Sequence, residues 1–250
     1  MGLRPLNDDP HFLESLRVPD RMREKRRLWA REGRRVLDFQ TGAQDAIEEL
    51  RAFVETALGE SLSTAVPSLP AAGLAVGEDL CLLQQGRDGR YRLTAGAVFF
   101  PSGWLLSDKL GKTLGGIHDP VPHFNDELLT PVERVFERLE VDAPVTRDNW
   151  GVSELEDLFR PGGHSAEPGP LWLRCERQTL ARLPATRAVL FTIGTFMAPI
   201  EQAVADHPEW ARYILSLYEK ADPDHLAYKG MDHRKAQLMP ILEKALATPA

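Results

Sequence analysis

Four stretches of the chain carry residue types and spacings that can do chemistry. The first runs from Lys109 to His123, KLGKTLGGIHDPVPH. In it His118 follows the apolar Ile117 and precedes Pro120-Val121-Pro122, whose prolines fix the local backbone torsions. Such rigidity suits a ligand that must hold one orientation; the other reading is a capping or hydrogen-bonded core histidine. His118 and His123 make a poor zinc pair, because two prolines between them exclude a common helical face and no third ligand is obvious. The second stretch is RCERQTLARLP, Arg174 to Pro184. On a strand, alternation puts Arg174, Glu176 and Gln178 on one face and Leu173, Cys175 and Arg177 on the other. Arg177 then points inward and needs an anion, either a protein carboxylate such as Glu78 or Asp79 or a ligand. The third is Arg147-Asp148-Asn149-Trp150, a polar cluster beside a ring that core packing also explains. The fourth is Gly77-Glu78-Asp79-Leu80, two carboxylates in an apolar strand. One must face inward, and an inward carboxylate can receive an ammonium.

Several chemistries are excluded by what is missing. The chain has no dinucleotide GxGxxG, no GxxxxGK[ST] phosphate loop, no GxSxG elbow and no HExxH pair. Its two cysteines, Cys81 and Cys175, form no CxxC. They cannot build a disulfide scaffold, a four-cysteine zinc site or a self-contained iron–sulfur cluster.

The elements that must position these residues follow from patterning. Thr41 reads as an N-cap with Gln44 completing a capping box. Ala43, Ala46, Ile47, Leu50, Phe53, Val54 and Leu58 then recur at three and four until Gly59 stops the run. Residues 61–72 read as a connection. Apolar runs at 74–84 and 91–100 flank Arg87-Asp88-Gly89 and predict a hairpin. A second hairpin pairs 171–178 with 188–197 around Leu183-Pro184-Ala185. Between them come a short helix near 102–110 and a helix opened by Thr130-Pro131, with Val132, Val135, Phe136 and Leu139 on its apolar stripe. After Pro199 the pattern is helical with breaks at Pro208 and Pro240. The expected class is α+β, an antiparallel sheet flanked by helices with a helical C-terminal segment. Residues 1–40 read as a basic helical or irregular arm and 41–250 as a single domain.

At 250 residues the chain can bury a core without staples. Mean hydropathy is −0.29, and no apolar run is long enough for a bilayer. The stretch Met1 to Pro10 lacks an apolar signal core, so the expected location is the reducing cytoplasm. A formal net charge of −7 argues against nucleic acid as a partner. That charge is uneven: residues 21–35 hold eight Lys/Arg against two Glu, locally +6, which leaves −13 on the remainder. The basic stretch reads as a solvated helix face or as a dock for an acidic partner.

GEDLCLL (77–83), YRLTAGAVFFPSGW (91–104), KLGKTLGGIHDPVP (109–122), RDNWGV (147–152), LRCERQTLARLP (173–184) and, more loosely, YKG (228–230) together resemble the haem-dependent oxidative N-demethylase α-subunit family over residues 35–245. The IHxPVP and ERQTLxRLP-like runs are its specific parts. The resemblance implies a PAS-like antiparallel sheet holding haem b. It also implies oxidation of a small methylated amine such as dimethylamine by O2, with release of formaldehyde. Carried onto this sequence, it makes His118 the axial ligand of the iron. Glu78 becomes the carboxylate for the protonated amine, with Arg177 near oxygen or substrate. Lys112 and Arg174 would pair with propionates, and Trp150 would line the cofactor. FMN and an iron–sulfur centre would sit on a separate reductase chain, for which the basic stretch is a candidate dock. A homo-oligomer remains open, as do a non-catalytic haem sensor and a PAS-like small-ligand module.

Overall fold

The computed structural model describes residues 2–7, 9–162 and 169–247; Met1, Asp8 and residues 163–168 and 248–250 lie outside the described residues. Seven strands form one antiparallel sheet: β1 (Arg4–Pro5), β2 (Leu37–Phe39), β3 (Asp79–Gln85), β4 (Tyr91–Ala97), β5 (Val145–Ser153), β6 (Trp172–Arg182) and β7 (Val189–Pro199). Their order across the sheet is β1-β5-β6-β7-β3-β4-β2. Both expected hairpins are present. The first turns on Gly89 at φ 77°, where the Gly86 N–H donates to the Arg90 carbonyl at 2.9 Å. Pairing of β3 with β7 joins the two hairpins into one sheet.

Helices cover both faces. Alternation sends Leu80, Leu82 and Leu190 to one face, where they meet Leu28 of α1 (Pro19–Glu32) and Ile47, Leu50 and Val54 of α2 (Gln44–Leu58). α3 (Ser68–Gly73) lies in a stretch read from sequence as a connection; all six of its residues are buried, so it packs under α2 rather than crossing the surface. Cys81, Leu83, Val189 and Phe191 face the other way. There they meet Leu114 of α5 (Leu114–His118) and Phe136 of α6 (Leu129–Arg138), after the short α4 (Leu106–Lys109). A bulge shifts the β3–β4 register between Leu82 and Leu83, where Leu82 opposes Ala95 and Leu83 opposes Leu93. The extra residue, Thr94, therefore turns Ala95 and Ala97 towards α2 and Tyr91 and Leu93 towards α6. α7 (Ile200–Asp206), α8 (Glu209–Lys220), α9 (Pro223–Tyr228) and α10 (Lys235–Ala247) follow the sheet, and residues of α7, α8 and α10 pack on Val152, Leu171 and Leu173.

Three local expectations change. Ala43, not Thr41, occupies the N-cap of α2 without a side-chain bond, because Gly42 at φ 95° and the Ala43 N–H to Gln40 carbonyl bond form a separate turn ahead of the helix. Pro240 lies inside α10 rather than breaking it. The basic stretch is not wholly a solvated face: Lys25 is fully buried, and its ammonium donates to the carbonyls of Gly73, Val76 and Glu78. No helix among the described residues is long and apolar enough to cross a membrane.

The N-terminal residues join the same body. Leu6, Phe12 and Leu16 are buried, the Leu13 N–H donates to Glu78 at 2.7 Å, and Arg17 donates to the Ala75 carbonyl at 2.9 Å. Gly77 allows the closest approach, since a Cβ there would stand 2.3 Å from both the Cβ and the carbonyl oxygen of Leu16. Gly77→Ala is therefore expected to cost about 1–3 kcal/mol in urea unfolding and to open residues 9–17 to limited proteolysis. An unchanged midpoint and digestion pattern would disprove that contact's importance.

Candidate functional site

Thr113 opens α5 by accepting the Gly116 N–H on its hydroxyl at 3.3 Å. Leu114 and Ile117 then turn into the core beside Phe136, which leaves His118 on the last turn. Its Nδ1 lies 2.9 Å from the Leu114 carbonyl. A carbonyl only accepts, so Nδ1 carries the hydrogen and Nε2 keeps its lone pair. Nε2 has no hydrogen-bond partner among the described residues. The Pro-Val-Pro segment folds the chain back: the Val121 N–H donates to the His118 carbonyl at 2.8 Å, and His123 turns at φ 58°. That return stacks Phe124 on the imidazole, with ring centres 4.0 Å apart and planes 12° from parallel. Burial lowers the His118 pKa below its ordinary 6.5; the Leu114 bond opposes this, and the charges of Lys109 and Arg147 add to the lowering. The ring is neutral at pH 7.

Alternation places Arg147, Asn149 and Gly151 of β5 and Arg174, Glu176 and Gln178 of β6 on this α5 face. The Nε of Arg147 is buried with no hydrogen-bond partner. Glu176 is braced by Gln178 at 2.9 Å and Asn149 at 3.3 Å. A Cβ built on Gly151 would meet nothing within 4 Å, so the sheet is open there. Lys229, just after α9, donates to the Trp150 carbonyl at 2.9 Å, and Arg234 donates to that of Val152 at 3.0 Å. Both cap the outer edge of β5 beyond the two-residue β1. Burial lowers the Lys229 pKa; Glu176 opposes the shift and Arg147 reinforces it.

The structure does not bring all the residues expected from sequence together. Glu78 and Arg177 lie on the opposite face from His118: a Cβ on Gly194 there would touch Leu16 and Glu78. Glu78 is 2% exposed, burial raises its pKa, and one carboxylate oxygen is buried without a partner. Arg177 makes no ion pair with Glu78 or Asp79; it donates to the Pro10 carbonyl at 2.8 Å. The ammonium that the Glu78-Asp79 pair receives is the chain's own Lys25, 3.9 Å from Asp79. Arg174 is buried and donates to the carbonyls of Phe100 at 2.5 Å and Leu158 at 3.2 Å. Trp150 packs edge-on against Trp210 under the C-terminal helices, and Lys112 is exposed just ahead of α5. Cys81 and Cys175 are free thiols, and burial pushes the Cys175 pKa up to about 11, away from thiolate ligation.

Lys109, Glu176 and Lys229 were not singled out by sequence reasoning. Glu176 and Arg147 share a face only once β5 is known to be a strand. Tyr228-Lys229-Gly230, which means nothing alone, acquires its place through the edge of β5. A family model for the haem-dependent oxidative N-demethylase, alpha subunit-like proteins matches residues 53–239, three quarters of this length, and the chain belongs to that family.

Proposed function

We propose that the chain is the haem-carrying subunit of an oxidative N-demethylase, with haem b held on the α5 side through His118. The observation that carries this reading is a neutral imidazole with Nδ1–H tied to a backbone carbonyl and Nε2 free, in a chain of a haem-dependent family. That is the tautomer an imidazole would need to hold haem iron. Two further features fit the group. The unpartnered Arg147 Nε, with Lys109 and the exposed Lys112 nearby on the α5 side, favours anions such as haem propionates. The open sheet above Gly151 lets a flat macrocycle approach the backbone. The sheet in this reading is a PAS-like scaffold.

When bound, the haem supplies oxygen activation at iron. The chain's own residues do the rest. His118 would hold the metal, Arg147 and Lys109 would hold the anionic edge, and Phe124 covers one imidazole face. Glu176 takes the amine-receiving role that sequence suggested for Glu78, because it lies on the α5 face and two amides orient it. Glu78 and Arg177 instead hold the N-terminal residues on the far face. In the overall reaction O2, two electrons and two protons convert an N-methyl group to N–H, formaldehyde and water. With two isolated thiols in this chain, the electrons come from a separate chain carrying FMN and an iron–sulfur centre.

The test is formaldehyde release from dimethylamine by haem-loaded protein given a reducing system in air. Haem loading with no formaldehyde from any methylated amine would leave a haem sensor instead. Arg147→Ala is expected to weaken haem binding about tenfold, ~1.4 kcal/mol, without moving the absorption maximum, since His118 stays in place. Unchanged affinity would remove Arg147 from the site.

A further inference from the structure

We propose that His123, Asp222 and Asp224 form a site for a divalent metal ion of the zinc type, which clips α9 to the turn following His118. A ring nitrogen of His123 and one carboxylate oxygen from each aspartate lie within 4.8 Å of one another. The ligands come from two segments far apart in sequence that meet only in the fold. His123 and Asp224 make no side-chain hydrogen bond or ion pair among the described residues, so their ligand atoms are uncommitted. Asp222 is already oriented: one oxygen caps α9 by accepting the His225 N–H at 2.8 Å, and its other oxygen is left over. A bond that fixes a ligand from behind commonly sharpens a metal site.

Zinc bonds to imidazole and carboxylate run at roughly 2.0–2.2 Å, which sets neighbouring ligand atoms roughly 3.3 Å apart in a tetrahedron. His123 and Asp224 are exposed, so rotation of those two side chains closes the remaining gap while Asp222 keeps its cap bond. One imidazole and two carboxylates, with water in the fourth position, suit zinc or cobalt. Calcium and magnesium want six or more oxygens. The ion would join two segments that flank the α5 face. One continues directly from His118, and the other ends at Tyr228, beside the Lys229 that caps β5.

The full chain, stripped of metal with chelator, is titrated with Zn2+ by calorimetry. One ion per chain at micromolar affinity is expected, unaffected by excess Mg2+ or Ca2+. His123→Ala, Asp222→Asn and Asp224→Asn should each weaken binding about tenfold or more. Asparagine still caps a helix, so an unchanged helical circular dichroism in Asp222→Asn separates lost ligation from lost structure. Cobalt substitution should give the intense visible bands of a four-coordinate site. Absence of one-to-one binding, or equal affinity in all three variants, would overturn the site. None of these readouts requires haem, so they stand whether or not His118 binds it.

Discussion

Haem added to the purified wild-type chain is expected to give a sharp Soret band, and His118→Ala to abolish it or leave only the spectrum of loosely held haem. The effect is large because the imidazole supplies the one protein bond to iron in this reading. Among the described residues, the groups beside it do not replace it: Phe124 covers one ring face with a hydrocarbon ring, and the Lys109 amine is tied to the Ile117 carbonyl. Free imidazole in the buffer should restore the band in His118→Ala, which a merely unfolded variant would not do. His123→Ala should keep the wild-type spectrum, because a ring nitrogen of His123 lies beside Asp222 and Asp224. The pH dependence has a definite sign. The His118 pKa lies below 6.5, so ligation should persist at neutral pH and fail only as acid protonates Nε2. A wild-type spectrum in His118→Ala without added imidazole would end the haem assignment at this residue.

Lys25→Met is expected to be the most destabilising single change on the opposite face, costing about 3–5 kcal/mol in chemical denaturation. It removes the donor to three buried carbonyls and leaves Asp79, 1% exposed, without its ion-pair partner. Asp79 is itself held by the N–H groups of Phe99 and Phe100, at 2.9 and 2.8 Å, so it cannot swing away. The same lysine gives stability a pH slope. Burial lowers its pKa to about 8, partly opposed by Asp79 and Glu78. Between that value and the ordinary 10.5, the unfolded chain binds a proton that the folded chain does not. By linkage, this group's contribution therefore improves as pH rises through the window, by about 3 kcal/mol in all. The wild type should gain on Lys25→Met between pH 8 and 10. Parallel stability curves for the two proteins would show that Lys25 does not titrate as its burial dictates.

Lys25 and Arg147 also show where sequence stops. Lys25 sits in a run of arginines, and counting charge assigns it to solvent with the rest. Its helix has two sides, however, and Lys25 and Leu28 share the buried one. Two of the exposed arginines are met by acids just outside the counted stretch, Arg23 by Asp20 and Arg34 by Asp38, so the +6 of the linear count overstates the surface field. The two hairpins were legible because turn chemistry and alternation are local. β5 was not, because its residues Val145 to Ser153 mix charge, amide and ring, and their partners, Trp172 to Leu180 of β6, lie well beyond them in the chain. The Thr94 bulge was equally hidden, since one extra residue leaves no mark in composition but reverses which side chains meet α2.

The sequence by itself determined the α+β class, the helical C-terminal segment and the family. Each of these lives in short-range pattern: a turn residue, an apolar period, a proline-fixed motif. Only the tertiary structure decided that Glu78 and Arg177 stand across the sheet from His118, and that Glu176, Arg147 and Lys229 stand near one another instead. Which face of a strand a residue occupies is set two residues at a time. What covers that face depends on which distant helix docks there, and no local spacing encodes the choice.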